Sequence, residues 1–275
     1  MSGKKQHYLP AALIGGFGRL GPDRRARNAV VVYRTQDGSE VLESSASGIG
    51  YSKRMYRLKQ PAPGMDPDRV EHVWRIVEPY LPKAIERAAS GCETEQDRRV
   101  LVEHAAALGV RHPGFEASNN AVRTARGLPP LHGDLVHAAR IHQLLHNQRA
   151  LRMHRWRFLH SPPQARRFIL NDRGYGQVFV VDDAGRQHGG TFLPLHPRLA
   201  LLGWIAPSAG GFDHRYLRPN WVRSLNAVTW AHSRRFVVAH PDDAAMLRGQ
   251  RSPARAQPFT ASAFLGSEQS LFDDT

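Results

Sequence analysis

A chain of 275 residues with 41% hydrophobic and 23% charged side chains is long enough to bury a core and too apolar to be disordered. Its one cysteine, Cys92, excludes an intrachain disulfide framework, and no run approaches the ~18 apolar residues of a membrane span, so a soluble protein of the cytoplasm is expected. The formal net charge of +14, carried by 33 arginines and five lysines against 24 acids, points to a polyanionic partner: nucleic acid or a phosphorylated ligand.

A GC-rich genome produces the same arginine-for-lysine skew, so the total charge weighs less than its placement. Residues 1–60 hold eleven basic and four acidic side chains, residues 140–175 hold eight arginines and one acid, Asp172, and the rest of the chain balances. Two short stretches therefore supply the whole excess.

In chain order, the basic start passes into Tyr8-Leu9-Pro10-Ala11-Ala12-Leu13-Ile14, where a short helix starts near Pro10 and ends at Gly15-Gly16. The apolar run is too short for a signal peptide. Residues 28–44 read as a hairpin turning at Asp37-Gly38, and Gly50 to Leu58 as a strand or a loop. After Pro61-Ala62-Pro63-Gly64, Asp66-Pro67 starts a helix whose apolar positions run from Val70 to Ile85; Pro79 and Pro82 kink it and Ser90-Gly91 end it. Thr94 with Asp97 caps the next helix, which runs to Gly109. Phe115 to Arg126 continues as helix, and Asp134 opens a last long one reaching about Arg152.

The second half changes character. Trp156 to Leu159, Phe168 to Leu170, Val178 to Val181 and Leu199 to Trp204 read as strands, residues 217–233 as a helix, and Arg235 to Ala239 as a strand. Residues 249–275 read as a disordered tail. The expected fold is α+β: one domain over residues 1–248, with a mixed or antiparallel sheet built from the N- and C-terminal thirds and a helical section, about residues 66–152, covering one face.

Several segments together resemble a bacterial family, the domain-of-unknown-function family 4238. They are Lys4-Lys5-Gln6-His7-Tyr8-Leu9-Pro10 with Phe17 behind it, Val30 to Tyr33, Tyr56, a helix glutamate (Glu71 or Glu78), and Arg111-His112-Pro113. Further along come Trp156, Ile169 to Gly174, Pro194-Leu195-His196-Pro197, and Asn226 ahead of Arg235 to Val238. The resemblance covers nearly all of the chain up to about residue 248. Where the family has Ser-Asp-Asn-Pro, this chain has Asn171-Asp172-Arg173-Gly174. The resemblance implies no established activity.

Three constellations carry candidate chemistry. Gln6-His7-Tyr8 sets an amide, an imidazole and a phenol side by side, with His7 as acid or base and Tyr8 as an oxyanion donor; Lys5 adds charge. Asn171 and Asp172 follow a strand, and Asp172 is expected to bind a divalent metal such as Mg²⁺ or act as a base, with Glu78 completing a carboxylate pair. His142 and His146 share a helix face with His137 nearby, and Arg155 and Arg157 with Arg140, Arg149 and Arg152 are placed to contact phosphates. Arg111 and Asn226 complete the candidate binding set. Three functions stay open: an enzyme acting on nucleic acid or a phosphorylated substrate, a non-catalytic nucleic-acid-binding module, or an enzyme on a small molecule with incidental charge.

Overall fold

A computed structural model describes residues 5–20, 27–35, 38–181, 185–205, 211–247 and 260–261. The strand Lys5–His7 (β1) leads into the helix Ala11–Gly16 (α1), the two-residue strand Arg19–Leu20 (β2) and the hairpin Arg27–Thr35 (β3) and Gly38–Ser45 (β4). Asp37, at the expected hairpin turn, and almost all of the expected tail lie outside the described residues. Of the segment Gly50 to Leu58, only Tyr51–Lys53 (β5) is a strand, and it pairs with β1.

The helix expected from Asp66 to Ser90 is broken into Arg69–Trp74 (α2), a 3₁₀ turn at Glu78–Tyr80, and Leu81–Ala89 (α3). Pro79 and Pro82 each occupy a first-turn position of the following piece, where the missing N–H costs nothing. Glu95–Arg111 (α4) starts on the expected capping box, Thr94 Oγ1 accepting from the Asp97 amide and the Asp97 carboxylate from the Thr94 amide. Phe115–Ala125 (α5) and Asp134–Leu151 (α6) follow. Asp134 caps outward: its carboxylate accepts the backbone N–H groups of Lys59 and Gln60, which ties α6 to the preceding loop.

The rest of the chain gives His154–His160 (β6), Leu170–Asn171 (β7), Gly176–Val181 (β8), Gln187–His196 (β9), Leu199–Ile205 (β10), Gly211–Tyr216 (β11), Pro219–His232 (α7), Phe236–Ala239 (β12), the single turn Ala244–Leu247 (α8) and Thr260–Ala261 (β13). The architecture is α+β. N- and C-terminal strands share a sheet in the order β2-β3-β12-β7, with β4 on β3. A second sheet, β11-β6-β10-β9-β8-β13, comes entirely from the second half. It is antiparallel except for β11 on β6 and β13 on β8. No helix among the described residues is long and apolar enough to cross a membrane.

One buried cluster joins all parts of the chain: Leu13 and Ile14 of α1, Val31 of β3, Leu81 of α3, Leu101 and Leu108 of α4, Trp156 and Phe158 of β6, Leu195 of β9 and Phe236 of β12. The N-terminal segment enters this core over a tight corner. The Gly50 carbonyl accepts the amides of both Tyr8 and Leu9, at 2.9 and 3.1 Å. Gly50 holds φ at +67°, and a Cβ there would lie 2.8 Å from Ile14 Cδ1. Gly50→Ala combines a left-handed backbone with overpacking, so urea denaturation is expected to show about 2 kcal/mol of lost stability.

Candidate functional site

The N-terminal segment is built around the C-terminal end of α4. Gln6 is fully buried; its Oε1 accepts the Tyr56 amide at 2.7 Å and its Nε2 donates to Asp68 at 3.3 Å. Tyr56, also fully buried, donates its hydroxyl to the Arg111 carbonyl at 2.7 Å, and burial pushes its phenol up to about 12. Arg111, 1% exposed, donates Nη2 to the His7 carbonyl and pairs Nη1 with Glu78 Oε1 at 2.5 Å. Arg140, 3% exposed, closes the same helix end by donating to the carbonyls of Val110 and His112 and lies over the rings of Phe115 and Tyr56. A cation at the carbonyl end of a helix meets the negative pole of its dipole.

His7 itself is half-buried, tilted against Tyr51, with its Nε2 enclosed and without a hydrogen-bond partner. Burial holds its imidazole below the usual value; the Ser47 backbone and then Glu78 oppose this, and Arg111 and Lys5 add to it. Lys5 is exposed and stands over the Tyr51 ring at 4.5 Å. His7, Glu78 and Arg111 are therefore one neighbourhood.

The Asn171–Gly174 turn meets this segment from the other side. Gly174 holds φ at +78°, and a Cβ there would lie 2.9 Å from Leu9 Cδ2 and 2.8 Å from Leu108 Cδ2. Asp172 is fully buried, and its two carboxylate oxygens accept the amides of Arg234 and Arg235 at 2.8 and 2.9 Å. Burial pushes its carboxyl up, and those two amides pull the other way. Asn171 is spent on the carbonyls of Tyr175 and Thr229 and the amide of Arg173. Asn226 clamps the approach to β7, donating to the Arg167 carbonyl and accepting the Ile169 amide. His7, Asp172 and Asn226 have no hydrogen-bond partner in common.

Between the two segments sits His112, a residue that sequence reasoning missed as a site candidate. Its ring is edge-on to Tyr8 at 5.9 Å, and its Nδ1 accepts the Gly114 amide at 2.9 Å. Burial pushes it down to about 3, reinforced by Arg173, Arg234, Arg140 and Arg235 in that order, so it is neutral among four guanidinium groups. Arg234 lies against Gly114, where a Cβ would collide with its Nη1. Arg173 stands over the Tyr175 ring and donates to its hydroxyl at 2.9 Å. None of Arg173, Arg234 and Arg235 has a carboxylate partner among the described residues. The arginines expected to contact phosphate are differently placed. Arg157 holds Asp213 through Nε and Nη2 at 2.6 and 2.9 Å, and Arg155 reaches the same carboxylate at 3.3 Å.

A further polar chain, unforeseen because its members lie far apart in sequence, runs from Glu93 to His214 at 3.1 Å and on to His160 at 2.9 Å. Burial would raise the Glu93 carboxyl, but the bonds from His214 and Arg98 outweigh it and hold it down. Among the described residues no three His, Cys, Asp or Glu side chains converge to hold a metal, and His137, His142 and His146 form no such group.

Fold and site together define an α+β protein with an arginine-rich crest beside a helix C-terminus. The sequence model of a family described as a protein of unknown function, DUF4238, matches residues 5–243, and the chain belongs to that family. No curated protein and no solved structure matches it.

The buried histidines make the fold acid-sensitive. His104, 2% exposed, is pushed down to about 3 by burial and then by Arg111. Its folded-state pKa lies below the unfolded value of ~6.5, so the unfolded chain takes up the proton first. The stability present above that value is lost as pH falls towards about 3, about 2 kcal/mol of it between pH 7 and pH 5. Urea denaturation at both pH values should show His104→Gln narrowing the loss by about that amount.

Proposed function

We propose that the protein binds nucleic acid through its phosphates at the crest formed by Arg173, Arg234 and Arg235 beside His112 and Tyr8. The observation that carries this reading is the convergence of guanidinium groups without a carboxylate partner on a half-buried histidine that stays neutral. Guanidinium groups suit phosphate oxygens because their planar fork donates two parallel hydrogen bonds. Within residues 140–175, by contrast, Arg155, Arg157 and Arg167 are paired with Asp213, Asp242 and Asp243. In this reading Asp172 is a positioning residue: it fixes the turn that presents Arg234 and Arg235. A cytoplasmic location and a single domain over residues 1–248 belong to the same proposal.

A catalytic form of the reading rests on His7, whose enclosed Nε2 lacks a hydrogen-bond partner and whose imidazole feels the Glu78 carboxylate. His7 would then exchange the proton of a bound phosphorylated substrate and Glu78 would orient it. The binding and catalytic forms separate by variant. His7→Ala leaves binding intact and abolishes turnover in the catalytic form, whereas it changes nothing measurable in the binding form.

The test is fluorescence anisotropy with short labelled DNA and RNA, single-stranded and duplex, across a salt series. Binding should weaken steeply with salt, and Arg234→Ala should lower affinity for all sequences alike while reducing the magnitude of the log–log salt slope by about 1. Asp172→Asn should weaken binding in a protein that remains folded by circular dichroism. Absence of binding at about 50 mM salt, or an unchanged slope in Arg234→Ala, contradicts the reading.

A further inference from the structure

Beside the 3₁₀ turn, a pocket of about 380 Å³ opens between α2, α4 and α6. Its volume is in the range of small-molecule sites. The walls include Val100 and Leu144, and the polar lining includes Trp74, Glu78, His104 and Arg111.

Three nitrogen atoms of this lining are buried and have no hydrogen-bond partner, Trp74 Nε1, His104 Nε2 and Arg111 Nε; Glu78 Oε1, also buried without a hydrogen bond, is held in its ion pair with Arg111 Nη1. Their side chains are 2%, 2% and 1% exposed. Buried polar groups in folded proteins are satisfied in about 90% of cases or more, so three unmet groups around one cavity call for a partner. The chemistry of that partner follows from the atoms. Indole and guanidinium nitrogens are donors only, and a neutral imidazole supplies one further donor. The head group they accept is therefore rich in acceptor oxygen. The ionised side chains of the lining, Glu78 and Glu103 against Arg99 and Arg111, cancel, so a compact head of low charge fits better than a phosphate. The apolar walls take a short hydrocarbon or a ring.

We propose that this pocket binds a small organic monocarboxylate, with Trp74 and His104 donating to its oxygens beside Arg111. The site is separate from the arginine crest: it shares none of those three arginines, only Glu78 is common to it and the catalytic form, and its test does not involve nucleic acid.

The test follows the indole N–H resonances of the ¹⁵N-labelled full chain as benzoate or isobutyrate is added to about 10 mM at constant ionic strength, since ligands of this size bind near the millimolar range. Benzamide, of the same shape but neutral, is the control, and sodium chloride controls for ions in general. One indole resonance, assigned to Trp74 by its loss in Trp74→Phe, is expected to shift saturably with carboxylate. Benzamide should bind at least about tenfold more weakly, and His104→Gln should weaken the carboxylate by about tenfold. Trp74→Phe keeps an aromatic ring but removes the donor and part of the indole's volume, so circular dichroism checks its fold; its thermal midpoint should no longer rise with benzoate. A Trp74 resonance that ignores both carboxylates overturns the proposal, as does one that moves equally with benzamide or with chloride.

Discussion

The N-terminal segment and the helical middle meet at one buried cation. Arg111 ends α4, and in the interior a guanidinium is tolerable only where its protons are used and its charge is answered. Here it spends Nη2 on the His7 carbonyl and Nη1 on Glu78, while its own carbonyl takes the Tyr56 hydroxyl. The flanking carbonyls of Val110 and His112 are capped by a second buried cation, Arg140. The end of one helix thus fixes where β1 crosses, where the 3₁₀ turn sits and how the loop carrying Tyr56 lies. Glycine corners at Gly50 and Gly174 let the backbone come close enough for this packing.

The positive charge of the chain is sorted by that arrangement. Some arginines are structural: Arg111 and Arg140 at the helix end, Arg157 clasping Asp213 between β6 and β11. Others are left on the surface without an acid among the described residues, and Arg173, Arg234 and Arg235 are grouped by the buried carboxylate of Asp172. Asp172 carries one negative charge into a basic stretch, but its oxygens face backbone amides, so its work is to shape the turn. The two stretches that hold the net charge do approach one another, since Leu9 packs on Gly174, though the link is made through uncharged residues.

Much of the fold was legible in local chemistry. Thr94 with Asp97 announced α4, Pro10 with Gly15-Gly16 bounded α1, and the β-branched run at Val30 to Val32 marked β3. Three strands of the large sheet were not: β9, β11 and the two-residue β13, which falls in the stretch read as a tail. β9 carries Gly189-Gly190 and Pro194, which read as a turn and a break, yet Pro194 lies beside a register shift opposite Leu199 and Ala200, where a missing N–H is tolerated. β11, Gly-Phe-Asp-His-Arg-Tyr, is an edge strand whose polar side chains leave no apolar pattern. The candidate site was legible only in part. Sequence singled out Gln6, His7, Tyr8 and Asp172, but it had no means of telling a side chain that binds the backbone, as Gln6 and Asn171 do, from one that faces a ligand. His112 passed unnoticed because its environment is assembled from arginines 28 to 123 positions further along, and the Glu93–His214–His160 chain spans residues up to 121 apart.

The central claim is that Arg111 holds the N-terminal segment in place. Amide hydrogen exchange on Arg111→Met tests it most directly, because the Tyr8 and Leu9 amides bond to Gly50 and report on that segment alone. Protection at Tyr8 and Leu9 is expected to fall by an order of magnitude or more while the interior strand β10 keeps its protection. Unchanged protection at Tyr8 and Leu9, in a variant that has lost the guanidinium, would contradict the claim.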